Sequence, residues 1–279
     1  MTVNDWLVGA SNKLEAAGIG TARLDSLVLL EDVTKKDRAH LLAHPEMALQ
    51  IASLKKLDAL VERRTKHEPL AFIRGKTEFY GREFIINQDV LEPRPESETM
   101  IDLLKTLLQH KTPHSKVQPW NIVDVGTGSG ALAITAKLEL PGSEVTATDI
   151  DPKCLVVAQK NAKKHEVDIK FLQGNLLEPV FALCTQTSAL LCNLPYIPDN
   201  YKINQAAAME PRQAIFGGPD GLDLYRQIFD QLNRGSVRTQ FVLTESLPTQ
   251  HLVLEDIAKK VGFKLQKSED FIQVFRLEG

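Results

Sequence analysis

The 279-residue sequence predicts an α/β fold, in which a mostly parallel sheet carries helices on both faces and follows a small helical bundle. Before Phe72 the apolar residues recur at helical spacing, and no strand pattern appears. From Asn121 onward, short apolar runs alternate with helical segments, which is typical of a parallel sheet. The last two runs have only residues 267–270 between them, too few for a parallel crossover. We therefore expect the sheet to end in an antiparallel pair.

The N-terminal elements follow from spacing and from glycine. Five apolar residues share one face of the first predicted helix: Trp6, Leu7, Ala10, Leu14 and Ala17. Gly18 ends this helix. The segment KTEFYGREFII then predicts a β-hairpin that turns at Gly81. We divide the chain into a helical domain (1–73), a hairpin linker (74–92) and an α/β domain (93–279).

Seven apolar runs predict the strands of the α/β domain. In chain order they are NIVDV (121–125), SEVTATD (143–149), DIKFLQG (168–174), ALLCN (189–193), QFVLTES (240–246), FKLQ (263–266) and FIQVFRL (271–277). Helices are predicted before the first strand, from about Ser97, and between most of the others.

Composition and charge exclude several classes of function. The net charge of −3 arises entirely after residue 90, because residues 1–90 hold 13 basic and 13 acidic side chains. Tight binding to duplex nucleic acid needs a basic surface. No apolar run approaches the roughly 20 residues that span a bilayer, and the start lacks the pattern of a secretion leader. We therefore expect a cytoplasmic monomer with neither a membrane nor a stable nucleic-acid partner.

Cysteine and histidine spacings give no metal motif. Cys154, Cys184 and Cys192 match no metal-site spacing and are interpreted as reduced thiols. The pairs His40/His44 and His110/His114 are interpreted as surface histidines. We predict no metal site. The basic stripe of residues 55–66 is interpreted as a solvated helix face, with an RNA contact as the alternative.

The string DVGTGSGA follows the first strand of the α/β domain and opens a helix. Glycines there allow a ligand to approach the backbone and the free N–H groups of the helix N-terminus. Asp149 ends the next strand, where a carboxylate can accept hydrogen bonds from both hydroxyls of a ribose. This pair of features fits NAD and S-adenosylmethionine equally. The crowded glycines and the antiparallel sheet end favour S-adenosylmethionine, and Asn175 is placed either to meet an adenine edge or to form a turn.

The stretch Asn193-Leu194-Pro195-Tyr196 ends the fourth strand, where ligands of open parallel sheets bind. The Asn193 carbonyl and the Leu194 backbone carbonyl can each accept one N–H of a planar NH₂ group. Both acceptors stabilise positive charge that develops on that nitrogen, and they hold it in place for transfer. Tyr196 can stack on the planar group, and Pro195 fixes the turn.

Five ordered stretches resemble one known family. They are EPLAFIRGKTEFYG (68–81), LEPRPESE (91–98), ATDIDPKCLVVAQKNA (147–162), NLPYIP (193–198) and EPRQAIFGGPDGLDLYRQI (210–228). Together with GTGSG they resemble the peptide chain release factor N5-glutamine methyltransferases, the HemK/PrmC family. The resemblance implies the class I S-adenosylmethionine-dependent methyltransferase fold, a Rossmann-like sheet with antiparallel last strands, behind a small helical bundle.

The resemblance also implies a substrate and a site. Family members methylate the side-chain amide of the glutamine in the Gly-Gly-Gln loop of class I release factors, leaving S-adenosylhomocysteine, and the bundle helps to grip the release factor. It implies cofactor binding by Gly126, Thr127, Gly128, Ser129, Gly130, Asp149, Asn175, Leu176 and Asn193. It implies that the substrate amide is bound by Asn193, Leu194, Pro195 and Tyr196, and that the cleft is bordered by Arg94, Pro95 and Glu98. For Arg94, a salt bridge to a nearby acidic side chain is an equally good explanation. The family most often has proline where this chain has Leu194.

Two other functions use the same features. An adenine N6-methyltransferase of nucleic acid would apply the same asparagine chemistry to an exocyclic amine, but the acidic catalytic half argues against it. A module that binds the cofactor and docks on the translation machinery without catalysis is the non-enzymatic alternative.

Overall fold

The computed structural model describes residues 1–109, 120–181, 186–235 and 237–278, which form two compact units. The smaller unit comprises Met1–Lys76 and Ile203–Met209, and the larger comprises Thr77–Lys202 and Glu210–Gly279. His110, His114 and Cys184 lie outside the described residues.

Five helices build the smaller unit: α1 (Val3–Ala16), α2 (Ala22–Thr34), α3 (Arg38–Ala43), α4 (Ile51–Thr65) and α5 (Leu70–Arg74). A capping box starts α1, because Thr2 Oγ1 accepts the Asp5 N–H while the Asp5 carboxylate accepts the Thr2 N–H. The predicted apolar face of α1 is the one that packs into the bundle core, with Trp6 and Leu14 buried.

Two arginines of the basic stripe pair with acidic side chains of this unit. Arg64 donates to Asp25 at 2.7 Å and to the carbonyl of Glu68 at 3.0 Å, and the side chains of Arg64 and Asp25 are 11% and 5% exposed. Arg63 pairs with the Glu68 carboxylate. The basic stripe therefore has fewer unpaired positive charges than its sequence suggests.

The larger unit begins with the predicted hairpin, β1 (Lys76–Phe79) and β2 (Arg82–Ile85). Tyr80 and Gly81 form its two-residue turn, with φ of 52° and 67° respectively. Two successive positive φ values match the type I′ turn, whose twist suits a two-residue hairpin.

A seven-stranded sheet is the centre of the larger unit. Its strands are β3 (Asn121–Val125), β4 (Glu144–Asp149), β5 (Lys170–Gln173), β6 (Gln186–Cys192), β7 (Arg238–Glu245), β8 (Phe263–Glu269) and β9 (Ile272–Leu277). The order is β5-β4-β3-β6-β7-β9-β8, parallel from β5 to β7 and antiparallel for the last two pairings. The predicted α/β fold with an antiparallel sheet end is confirmed.

Within the described ranges, five helices cover the sheet: α6 (Glu98–Gln109), α7 (Ala131–Glu139), α8 (Pro152–Lys164), α9 (Asp223–Asn233) and α10 (His251–Lys259). Successive residues of a strand point to opposite faces of the sheet and enter different hydrophobic cores. On β3, Ile122 packs with α6 and α7, whereas Val123 packs with α9 and α10. Burial on both faces explains why the strands are continuous apolar runs.

Parallel pairing brings the carboxyl ends of four neighbouring strands to one edge of the sheet. Asp124 pairs with Ala147 on one side and Leu191 on the other, and Cys192 pairs with Thr244. The glycine loop after β3, Asp149, Asn193 and Glu245 therefore meet at this edge. In the described part of the chain, none of the helices is both long and apolar enough to cross a bilayer.

The buried ion pair between Arg64 and Asp25 makes a testable prediction. Replacing Arg64 with alanine leaves the Asp25 carboxylate buried without its partner, so we expect the smaller unit to lose about 3–5 kcal/mol of unfolding free energy. Hydrogen exchange of the amides in α2 and α4 measures this loss. Lys56→Ala, on the exposed face of α4, is the control and should change stability by about 0.5 kcal/mol at most. Equal protection in the two variants would contradict the prediction.

Candidate active site

A cleft of about 800 Å³, including the part open to solvent, lies at the carboxyl edge of the parallel strands. Eight of the residues predicted for the site line it: Gly126, Gly128, Asp149, Asn175, Leu176, Asn193, Leu194 and Pro195. Its other walls include Asp89, Leu91, Cys154, Pro211 and Gln213. The sequence reasoning assigned no role to these five.

The glycine loop between β3 and α7 forms the floor of the cleft. Gly126, Gly128 and Gly130 all have positive φ, at 74°, 55° and 83°. A Cβ on Gly130 would lie 3.0–3.2 Å from Ile134 and Ala158, so close packing of α7 against α8 requires glycine there. Beside Gly128 a Cβ would meet nothing within 4 Å, which leaves room for a ligand against the backbone.

Asp149 is held by two backbone donors. Its Oδ2 accepts the Gly128 N–H and its Oδ1 accepts the Asp151 N–H, each at 2.9 Å. Burial raises the pKa of Asp149, whereas these two N–H groups lower it. The carboxylate lines the cleft and keeps lone pairs for further donors, as ribose hydroxyls would require.

The two residues between the glycines serve the loop itself. Thr127 Oγ1 donates to the buried Asp124 carboxylate at 2.6 Å, and the same oxygen of Asp124 accepts the Ala133 N–H at 3.1 Å. The Ser129 carbonyl accepts from the Asn161 side chain at 2.9 Å. Burial raises the pKa of Asp124 to about 6, with Asp149 adding to the shift. Thr127, Ser129 and Gly130 are absent from the cleft wall described above.

Asn175 and Leu176 follow β5. Asn175 donates its Nδ2 to the Glu178 carboxylate at 3.3 Å, which leaves its Oδ1 for a donor such as an exocyclic amine. Leu176 has a φ of 52°, and its carbonyl accepts from Thr148 Oγ1 at 2.9 Å. This hydrogen bond fixes the irregular backbone beside the cleft.

The Asn193 side chain lies in a buried polar network. Its Nδ2 donates to Ser97 Oγ at 2.9 Å, and Ser97 Oγ donates to Glu245 Oε2 at 2.6 Å. Glu245 Oε1 accepts the Tyr196 hydroxyl at 3.0 Å. Burial raises the pKa of Glu245, while the hydrogen bonds from Ser97 and Tyr196 lower it. Burial and the neighbouring Glu245 raise the pKa of Tyr196, so the phenol keeps its proton.

The backbone after Asn193 is fixed by residues distant in sequence. Gln250 Nε2 donates to the Tyr196 carbonyl at 2.8 Å. The Tyr225 hydroxyl lies within hydrogen-bond distance of the carbonyls of Cys192 and Glu245, which share its single proton. A Cβ on Gly221 would lie 2.0 Å from the Tyr196 carbonyl oxygen. This contact explains why the last residue of the GGPDG segment is glycine.

Leu194 and Pro195 join the turn to the glycine loop. Leu194 is 2% exposed, and its Cδ2 would lie 3.2 Å from a Cβ on Gly126. The Leu194 N–H is directed at the Tyr225 hydroxyl at 3.4 Å. The turn that holds Asn193 thus packs directly on the loop that would hold a cofactor.

Arg94, Pro95 and Glu98 take structural contacts. Arg94 pairs with the buried Glu210 carboxylate, which is the salt bridge considered from the sequence. Pro95 begins a short 3₁₀ helix, and Glu98 Oε1 accepts the Tyr80 N–H at 2.7 Å. Their predicted place at a substrate cleft stays a prediction.

The sequence reasoning missed residues that hold the site residues in place by hydrogen bonds. Glu245 could have been found, because it ends the strand next to that of Asn193, and the ends of parallel neighbours meet at one edge. Ser97 and Tyr225 lie in stretches that resemble the family, but only the fold shows that they and Gln250 contact the turn. Cys154 lies at the cleft, and burial raises the pKa of its thiol to about 12.

The donor set suits an adenosine nucleoside with an amino-acid tail and a planar amide or amine. It offers open space over glycine, a buried carboxylate, an amide beside β5 and a carboxamide at the strand end. Among the described residues, no group of three or more histidine, cysteine, aspartate or glutamate side chains could hold a metal ion.

Two family models match the chain. The PrmC N-terminal domain matches residues 5–75, and the methyltransferase small domain matches residues 97–210.

Curated relatives match across both units. The release factor glutamine methyltransferase of Coxiella burnetii is 38% identical over 227 residues, which cover 81% of this chain and 79% of the relative. The bifunctional methyltransferase of Rickettsia bellii is 34% identical over 258 residues, covering 84% of this chain and 46% of the relative. This chain therefore spans about half the length of the bifunctional relatives it matches.

A solved structure shares the fold. The hMettl16 catalytic domain in complex with the MAT2A 3'UTR hairpin 1 aligns with a TM-score of 0.55 and 14% identity, covering 90% of this chain and 89% of that chain. The low identity limits this likeness to the fold.

The raised pKa of Asp124 predicts a pH-dependent stability. Between about pH 4 and pH 6 the folded chain keeps a proton that the unfolded chain has lost, so stability falls as the pH rises through this window. Two pKa units correspond to about 3 kcal/mol. Asp124→Asn cannot ionise and should lack this decline in urea titrations from pH 4 to pH 7. Asp168→Asn, an exposed control, should follow the wild-type profile. Parallel profiles for Asp124→Asn and wild type would refute the assignment.

The close approach of Gly221 to the turn predicts a difference between two glycines. Gly221 and Gly235 have φ of 80° and 79°. A Cβ on Gly221 would meet other atoms within 4 Å, whereas a Cβ on Gly235 would meet none. Gly235→Ala should cost about 1–2 kcal/mol from backbone strain alone. Gly221→Ala should cost about 1–3 kcal/mol more, because it also collides with the Tyr196 carbonyl. Urea denaturation measures both, and equal losses would show that the collision is relieved without cost.

Proposed function

We propose a specific reaction for this chain, which belongs to the family of release factor glutamine methyltransferases: transfer of a methyl group from S-adenosylmethionine to a glutamine side-chain amide. The acceptor is N5 of the glutamine in the Gly-Gly-Gln loop of a class I peptide chain release factor. The observation that carries the proposal is the Asn193 carboxamide, held by a buried network at the edge of a cleft that suits the cofactor.

The cofactor would lie over the glycine loop. Its ribose hydroxyls would meet the Asp149 carboxylate, which the Gly128 and Asp151 N–H groups hold in place. The adenine would face Asn175 and Leu176, where Asn175 Oδ1 can accept from the exocyclic amine. When bound, S-adenosylmethionine supplies an electrophilic methyl group on a sulfonium sulfur.

The turn after β6 would bind the acceptor amide. An amide nitrogen is a poor nucleophile because its lone pair is delocalised into the carbonyl. Acceptors on both of its N–H groups stabilise the positive charge that develops as the lone pair is withdrawn from this resonance. Asn193 Oδ1 and the Leu194 carbonyl would be these two acceptors. The Tyr196 ring, which follows the cleft residues Asn193 to Pro195 without lining the cleft itself, would lie next to the amide. Positioning of the nitrogen by the same contacts lowers the barrier further.

The names of the curated relatives support a release factor as the protein substrate. A release factor presents its glutamine on a loop, and the helical unit of Met1–Lys76 would grip the rest of the release factor. Such a reaction takes place in the cytoplasm, in line with the expected location, and needs no metal ion. A monomer suffices for it, because one chain carries all the residues named for the site.

The proposal is tested by mass spectrometry of a release factor incubated with the protein and S-adenosylmethionine. We expect one added methyl group on the loop glutamine. Asn193→Ala removes one of the two acceptors and should lower kcat by about 100- to 1,000-fold. It should still bind S-adenosylhomocysteine, because Asp149 and the glycine loop are unchanged.

Asn233→Ala, an exposed change at the last residue of α9 in the larger unit, is the control for asparagine removal and should leave kcat unchanged. The result that would overturn the proposal is methylation of duplex DNA or structured RNA with no label on the release factor, which would favour the adenine N6 reaction. Cofactor binding without transfer to a release factor or nucleic acid would instead support the non-catalytic alternative.

A further inference from the structure

Glu245 lies beside Asn193 because their strands are parallel neighbours. Each residue stands one position beyond the paired Cys192 and Thr244. The Glu245 side chain is 1% exposed, and its two oxygens accept hydrogen bonds from Ser97 Oγ at 2.6 Å and the Tyr196 hydroxyl at 3.0 Å. An ionised carboxylate has no proton to donate. In the structure both hydroxyls give their single proton to Glu245, as an ionised carboxylate requires.

This direction of donation decides how the Asn193 carboxamide is turned. Once Ser97 has donated to Glu245, its oxygen has only lone pairs left, and Asn193 must present its Nδ2 to it, as observed at 2.9 Å. The oxygen of a planar carboxamide lies on the side opposite its nitrogen. Asn193 Oδ1 is thus the atom left to face the cleft that the residue lines.

The opposite orientation would be unproductive for an amide acceptor. With its NH₂ group toward the cleft, Asn193 would place donors against the N–H donors of the incoming amide. Buried donors that face each other are left unsatisfied, and each lost hydrogen bond destabilises the complex. The chemistry therefore depends on which way one side chain is turned.

We propose that Glu245 and Ser97 are positioning residues that lock the Asn193 carboxamide with its oxygen toward the substrate amide. The proposal deepens the proposed function and rests on it. Neither residue touches the substrate in this arrangement, since Ser97 acts through Asn193 and Glu245 acts through Ser97 and Tyr196. The carboxylate also fixes the Tyr196 hydroxyl, while Gln250 fixes the Tyr196 backbone, so the ring is held at both ends.

A carboxylate suits this position better than the isosteric amide. Glutamine at position 245 would offer one oxygen and one NH₂ group to two hydroxyls that both donate now. One hydroxyl would have to accept instead, and if that hydroxyl were Ser97, its proton would turn toward Asn193. The carboxamide would then reverse and present its NH₂ group to the cleft.

Steady-state kinetics with a release factor test the lock. We expect Ser97→Ala and Glu245→Gln each to lower kcat by about 10- to 100-fold, with KM for S-adenosylmethionine and affinity for S-adenosylhomocysteine within about twofold of wild type. Ser97→Thr keeps the hydroxyl and should retain kcat within about threefold. Unchanged kcat in Ser97→Ala, or no rescue by threonine in a variant that still binds S-adenosylhomocysteine, would overturn the proposal.

A double-mutant cycle separates positioning from a general loss of structure. If Ser97 acts only through Asn193, then adding Ser97→Ala to Asn193→Ala should change kcat by less than about twofold. A further loss equal to that of Ser97→Ala alone would show that Ser97 acts by another route, and the proposal would fail.

A readout without catalysis distinguishes this proposal from the proposed function. The side-chain NH₂ resonances of Asn193 in the full-length protein are assigned by their absence in Asn193→Ala. We expect Ser97→Ala and Glu245→Gln to shift these resonances and to speed their hydrogen exchange, whatever substrate the wild type methylates. Unmoved resonances would refute the lock even if the release factor is methylated. Shifted resonances with an unmodified release factor would refute the proposed function and leave the lock standing.

Discussion

Parallel pairing of four neighbouring strands is the constraint on which the site depends. The chain leaves each strand at the same edge, so one edge collects the glycine loop, Asp149, Asn193 and Glu245. These residues are far apart in sequence and contact one another only through this register. A slip of two residues between β6 and β7 would keep every side chain on its face but separate Asn193 from Glu245. The function proposed here therefore rests on exact strand register as much as on residue type.

Buried polar groups hold this edge rigid at some cost in stability. Asp124, Glu245 and Tyr225 are almost fully buried, and each is satisfied by hydrogen bonds within the fold. Burial raises the pKa of all three side chains, because it destabilises their charged forms. Apolar replacements would pack with less penalty but would leave the turn after β6 free to reorient. The network fits a site whose chemistry depends on the direction of single hydrogen bonds.

The sequence predicted those parts of the fold and site that have a local signature. Alternating apolar runs predicted the sheet, and the short interval between the last two runs predicted its antiparallel end, because both depend only on spacing. Asp149 and Asn193 were predicted as site residues because each ends a predicted strand with a polar group, and both line the cleft. Ser97 could not be found, since its role comes from a contact with residues about a hundred and a hundred and fifty positions away. Thr127 was taken as a cofactor residue from its place in the glycine motif, whereas its side chain bonds to Asp124 within the loop.

Leu194 shows how the turn can be held without a second proline. Proline at this position would restrict φ, but it would also remove the N–H that Leu194 directs at the Tyr225 hydroxyl. Here that hydroxyl also bonds to the carbonyls of Cys192 and Glu245, so one buried phenol connects β6, β7 and the turn. The Leu194 side chain fills the space against Gly126, and Gln250 holds the carbonyl of Tyr196 two residues further on. Stiffness that a proline ring would supply locally is thus supplied by packing and hydrogen bonds from the other side of the sheet. The Leu194 carbonyl, the atom that the proposed reaction needs, is common to leucine and proline, which is why the substitution is compatible with the same chemistry.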